Sequence, residues 1–100
     1  MKEICNIKEF SNNGNLPSVK EAMSNTEIVA KNKVLQYLKS FNADCAAGMS
    51  LVDEVTGETL KSGVNGYNDG EYFWDTRHIY HFEKYNMKLN DDFIKYVLSQ

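Results

Sequence analysis

The sequence predicts an α+β fold: an N-terminal helix or helix pair, a three-stranded antiparallel meander, then two short C-terminal helices. Three observations carry that expectation. Ala43–Val52 alternates with a period of two, Ser18-x-x-Glu21 has the spacing of a capping box, and Ile79, Phe82 and Tyr85 recur at helical spacing after a capping residue. The chain has 100 residues, 42% of them hydrophobic, with five Phe, six Tyr and one Trp. That is enough for one domain (1–100) with a core that needs neither metal nor disulfide.

Met1–Phe10 fits two descriptions. Ile4, Ile7 and Phe10 have helix-like spacing, and Glu3–Ile7 would also serve as a short edge strand, with 1–16 as a whole an edge-strand or flexible segment. Asn and Gly at 11–15 mark a loop. Leu16-Pro17 then leads into the Ser18/Glu21 box, and Ser24-x-x-Glu27 repeats the spacing. The repeat predicts either one helix broken near Ser24-Asn25 or a short helix feeding a longer one from about Asn25 to Phe41. In the longer segment Ile28, Val34, Leu35, Leu38 and Phe41 share a face.

In the strand at Ala43–Val52, Cys45, Ala47, Met49 and Leu51 have one parity and the small residues Ala46, Gly48 and Ser50 the other, which predicts close packing on that second face. Cys45 reads as a buried, inert thiol. Glu54–Glu58 reads as a hairpin turn with Gly57 at positive φ. A strand at Thr59–Val64, a turn at Asn68-Asp69-Gly70 and a strand at Glu71–Trp74 follow, and short turns require antiparallel pairing. Asp75 or Thr76 caps a helix to about Tyr85, and Asn90 caps a last helix with Phe93, Ile94 and Val97 inward.

Charge is uneven along the chain. Residues 1–43 carry six Lys against four Glu, whereas 44–100 carry ten acids against five bases. Between 53 and 75, Asp53, Glu54, Glu58, Asp69, Glu71 and Asp75 face only Lys61. An acidic surface repels nucleic acid and speeds association with basic partners, and it also serves simply as a solvated edge. Tyr67, Tyr72 and Trp74 beside those acids would make an acid-rimmed aromatic patch of hot-spot composition, with Trp74 in the core as the competing arrangement. The expected partner-binding set is Asp53, Glu54, Glu58, Tyr67, Asp69, Glu71, Tyr72 and Asp75.

Catalytic signals are thin. Asp75-x-x-His78-x-x-His81 has ligand residue types, but successive i+3 steps drift around a helix and no second ligand group accompanies them, so exposed or partly buried histidines are expected rather than a metal site. Cys45 lacks a visible orienting group for nucleophilic work. Neither cofactor nor metal is expected. Two cysteines in unlike contexts read as free thiols of a cytoplasmic protein, and no apolar run is long enough to span a membrane.

The run Asp69-Gly70-Glu71-Tyr72-Phe73-Trp74-Asp75 through Tyr85 to the terminal Phe93 helix resembles small bacterial proteins associated with polymorphic-toxin immunity genes. The likeness spans roughly 45–98; Asn90 stands where that pattern has Pro, which keeps the capping role. The resemblance implies a protein that binds and blocks a toxin, often a nuclease; joined to the charge pattern, the expectation is a non-enzymatic inhibitor whose acidic, aromatic-containing surface meets a partner with a basic surface, without direct nucleic-acid contact. A phage-encoded anti-defence inhibitor, a self-associating regulatory module (a homodimer) and a small metal-dependent hydrolase at His78 and His81 are the alternatives.

Overall fold

A computed structural model describes residues 1–11, 13–26, 28 and 30–100. Its elements are β1 (Lys2–Glu3), α1 (Lys8–Ser11), α2 (Val19–Ala22), α3 (Lys31–Lys39), β2 (Cys45–Val52), β3 (Thr59–Asn68), β4 (Tyr72–Asp75), α4 (Thr76–Tyr85) and α5 (Asp91–Leu98). The α+β class is as expected. The sheet is mixed and four-stranded, in the order β1-β4-β3-β2.

The fourth strand is the departure from a simple meander. β2, β3 and β4 pair antiparallel, and β1 lies parallel to β4 with Lys2 opposite Tyr72 and Glu3 opposite Phe73. Parallel pairing needs a long crossover, which the helices and hairpin between β1 and β4 supply. The N-terminal segment is fixed on both sides. The Lys2 N–H donates to the Glu71 carbonyl at 2.9 Å and the Asn90 N–H to the Ile4 carbonyl at 2.8 Å. Ile4, Cys5 and Ile7 are buried, so this stretch is core, and only two of its residues are strand.

The Ser18/Glu21 capping box forms with both reciprocal bonds. The expected longer helix starts later, at Lys31, because Ala30 at its N-cap takes a left-handed φ of 61° and the Ser24 hydroxyl accepts the Thr26 N–H at 3.0 Å, an alternative to helical bonding. Glu27 of the second box lies outside the described residues. Within α3, Val34 and Leu38 are buried, as the periodicity requires.

The core lies between one sheet face and the helices. Trp74 is its hub: its indole N–H donates to the Leu38 carbonyl at 3.2 Å, and Phe41 meets its ring edge-on at 5.5 Å. Tyr72 packs edge-on against Phe93 at 4.9 Å. α4 begins at Asp75, whose carboxylate accepts the Arg77 N–H at 2.7 Å, and ends at Asn86 with φ 54°.

β2 departs from expectation. Every residue from Cys45 to Ser50 is exposed, including Ala46, Gly48 and Ser50 on the face assigned close packing. The cause is topological, since β2 is an edge strand and the helices pack over the middle of the sheet. Its register with β3 is broken between Ala46 and Ser50, where Gly48 has φ 68°. Cys45 is therefore an exposed thiol, while Cys5 is the buried one. β3 runs four residues beyond Val64. Gly66 makes this possible, because a Cβ there would stand 2.8 Å from Cys45 Sγ.

Candidate functional site: the open face of the sheet

The acidic residues between 53 and 75 do mostly structural work. Asp53 is buried. Its Oδ1 accepts the Val55 and Thr56 N–H groups at 2.9 and 3.0 Å, and its Oδ2 accepts the Tyr80 and Tyr85 hydroxyls at 2.6 Å each. Burial pushes its carboxyl up, but the two tyrosine hydroxyls and two amides outweigh burial and hold it well below the usual carboxylate range. Asp53 thus ties the β2–β3 turn to α4. A carboxylate so enclosed is not available to a partner, which corrects its place in the expected binding set.

Asp69 organises the β3–β4 turn in the same manner. Its Oδ1 accepts the Glu71 and Tyr72 N–H groups at 2.9 and 2.7 Å, and its Oδ2 the Tyr37 hydroxyl at 2.6 Å. Burial raises its carboxyl, and the Tyr37 hydroxyl with the turn amides lowers it further than burial lifts it. Asp75 caps α4 and is paired with Arg77 at 2.8 Å. Burial raises its carboxyl, and the Arg77 guanidinium outweighs burial and holds it low. Tyr72 is buried against Phe93, so it drops out of any docking surface as well; β4 directs it to the helices. Tyr67 is half-buried against the core.

Glu54, Glu58 and Glu71 are the acids of that set left partly or fully exposed without such a structural bond to the carboxylate, apart from a surface ion pair of Glu71 with Lys2 at 3.0 Å. They do not converge. Glu54 and Glu58 flank the turn before β3 and Glu71 follows its far end. Ten strand residues separate the two turns by roughly 30 Å.

The histidines are buried rather than exposed or partly buried. His81 Nε2 accepts the Glu54 N–H at 3.0 Å, so Nδ1 carries the proton and donates to the Arg77 carbonyl at 2.7 Å. His78 Nδ1 accepts the Asp75 N–H at 3.0 Å, completing a capping box in which imidazole replaces the usual Glu or Gln. Both rings are thus occupied as acceptors of backbone N–H groups. Among the described residues no three His, Cys, Asp or Glu side chains converge as a metal site requires.

The accessible feature is the sheet face opposite the helices. Gly66, with Cys45 as its register partner, and Phe73 on the opposite parity to Trp74 form its floor. Ala47, Met49 and Met1 complete a concavity of about 280 Å³, with Asp44 and the Asp75–Arg77 pair at its edge. Among the described residues, three of the five exposed large apolar side chains, Met1, Met49 and Phe73, line this one hollow, at 72%, 50% and 38% exposure. Asp44 sits beside it, its carboxylate accepting the Asn68 side-chain N–H at 3.1 Å.

Sequence alternation had already put Cys45, Ala47 and Met49 on one parity and set Phe73 opposite Tyr72 and Trp74. It did not show that this side is left open among the described residues. The available signal was Gly66 together with Cys45 and Ala47 on β2, small residues that leave this sheet face with little side-chain relief. The chain matches no family model, no curated protein and no solved structure. Among the described residues, no helix is long and apolar enough to cross a membrane.

Proposed function

We propose that this chain is a non-enzymatic inhibitory binding protein of the immunity type, which blocks a bacterial toxin or nuclease by docking it on the open sheet face. The observation that carries the proposal is the gathering of Met1, Met49 and Phe73 in one uncovered concavity with Asp44 beside it. An apolar floor with polar groups at the rim is the anatomy of a protein interface. Apolar patches of this sort on a small chain mark binding surfaces more often than scattered exposed residues do.

The partner in this reading presents an apolar side chain for the hollow and basic groups toward Asp44 and Glu71. Those basic groups are the kind a nuclease uses to hold phosphates, so occupying them accounts for inhibition without catalysis. The engagement of Asp53, His78 and His81 in holding turns and caps supports a non-enzymatic role, because each has a structural partner that chemistry would have to displace. Two unpaired cysteines suit a reducing cytoplasm.

Growth rescue tests this reading. Cells expressing the toxin or nuclease encoded beside this gene recover when the chain is co-expressed. Recovery that fails while both proteins accumulate in folded form contradicts the proposal. If the adjacent genes are phage genes, the same assay against a host defence nuclease decides between the immunity and anti-defence forms.

A further inference from the structure

We infer that Asn13 is a modification site, where the side-chain amide is lost to water without an enzyme, and that the sheet keeps the chain's other Asn-Gly step resistant. Asn precedes Gly at two places in the sequence, 13–14 and 65–66. Asparagine is a thermolabile residue. A following glycine exposes that weakness, because a residue without Cβ lets its own nitrogen approach the asparagine Cγ closely.

The surroundings of Asn13 favour the approach. Asn13 and Gly14 are both exposed, in the loop between α1 and α2. The Asn15 N–H donates to Asn13 Oδ1 at 3.0 Å, which folds the carboxamide over its own backbone and draws electron density from Cγ. Among the described residues the Gly14 N–H has no acceptor, and a Cβ at Gly14 would meet nothing within 4 Å. The Gly14 nitrogen gives its proton to solvent and bonds to Cγ. The bond from Cγ to Nδ2 breaks, and Nδ2 takes up a proton and leaves as ammonia. The five-membered succinimide then adds water and opens at either carbonyl, giving aspartate or isoaspartate. Nothing is oxidised or reduced, and water is the co-reactant.

At 65–66 the same dipeptide is locked. The Asn65 N–H donates to the Thr76 hydroxyl at 2.9 Å. Gly66 lies between Cys45 and Asp75 in the register of three strands, and its carbonyl accepts the Asp44 N–H at 2.8 Å. Turning the Gly66 nitrogen onto Asn65 Cγ would break that ladder. The inference rests on these two loci and does not depend on the inhibitory reading.

Peptide mapping by mass spectrometry tests it on the full chain aged in mildly alkaline buffer, with the aspartate and isoaspartate forms separated by chromatography. In the folded chain Asn13 should convert about tenfold faster than Asn65 or more, and in urea the two rates should become comparable. Gly14→Ala, whose methyl enters open space, should slow conversion at Asn13 about tenfold or more, equivalent to about 1.4 kcal/mol or more on the barrier. An Asn13 amide that lasts as long as that of Asn65 in the folded chain overturns the inference. So does an unchanged rate in Gly14→Ala. Asn65 that stays intact in urea overturns the protection assigned to the sheet.

Discussion

The two faces of one sheet have opposite fates. On the helix side, Tyr72 and Trp74 of β4 are enclosed by Phe93, Phe41 and Leu38, with even the indole N–H given a partner. On the open side, the residue between them, Phe73, is over a third exposed beside Met49 and Met1. The residue types are alike and the strand is the same, so composition does not decide burial. What decides it is where the chain sends its helices afterwards. α4 leaves β4 through the Asp75 cap, and together with α3 and α5 it covers one side. The lesson is that position relative to the helices, rather than residue type, sets burial along β4.

The largest effect separating the faces comes from adjacent substitutions. Trp74→Ala removes the hub of the core and should cost about 3–5 kcal/mol, whereas Phe73→Ser one residue earlier, at a side chain 38% exposed, should cost about 1 kcal/mol. Urea denaturation of the two variants reads the difference directly. Comparable losses would mean the open face is covered after all.

Next in size is the tie between the β2–β3 turn and α4. Asp53→Ala strips four hydrogen bonds from a buried site and leaves the Tyr80 and Tyr85 hydroxyls and two amides without their acceptor. The expected loss is about 3 kcal/mol in the same denaturation assay. Glu58→Ala, on the exposed side of the same turn, should leave the midpoint unchanged. Equal effects would return the acids to the role of a charged surface.

Acid has a related and graded effect. Folding holds the Asp53, Asp69 and Asp75 carboxyls below their ordinary value, so the unfolded chain binds protons first as pH falls. Their contribution is fully present above the unfolded carboxylate value of about 3.9 and is lost as pH drops from there through the folded values. The denaturation midpoint should therefore fall on going below pH ~4, and an Asp53→Asn chain, already less stable, should lose less over the same interval. An Asp53→Asn curve parallel to that of the unmodified chain would remove Asp53 from the account.

The smallest effect sharpens the picture of the floor. Gly66→Ala puts a Cβ 2.8 Å from Cys45 Sγ, and should cost about 1 kcal/mol. Cys45→Ala in the same chain should recover it, because the thiol on this face can be removed without opening the core. Failure of the rescue would show that backbone, rather than the thiol, limits the approach.

Much of the fold was legible in the sequence, and the reasons are local. Ser18/Glu21, a cap at Asp75 or Thr76, Gly57 at positive φ, the turn at Asn68-Asp69-Gly70 and the Val34/Leu38 stripe all follow from rules acting within a few residues. What was not legible depended on long-range placement. The pairing of Lys2–Glu3 with β4 joins residues about seventy apart, and no local pattern announces it. The exposure of Cys45, Ala46 and Ser50 follows from β2 being an edge, which its own alternation cannot reveal. The acids misled for a related reason. Asp53, Asp69 and Asp75 look like surface charge in a list of turn residues, yet each accepts backbone N–H groups, and tyrosines thirty residues away complete two of the three sites. An Asp at the start of a turn followed by amides at +2 and +3 was the signal available for a structural role.

Whether the open face holds the proposed partner is tested most directly by titration calorimetry with a purified toxin or nuclease, taken from the genes beside this one where they encode it. The chain should bind it, and a Met49→Lys/Phe73→Lys chain should lose that binding while still unfolding cooperatively in urea. Undiminished binding by the doubly substituted, fully folded chain would contradict the assignment of this face.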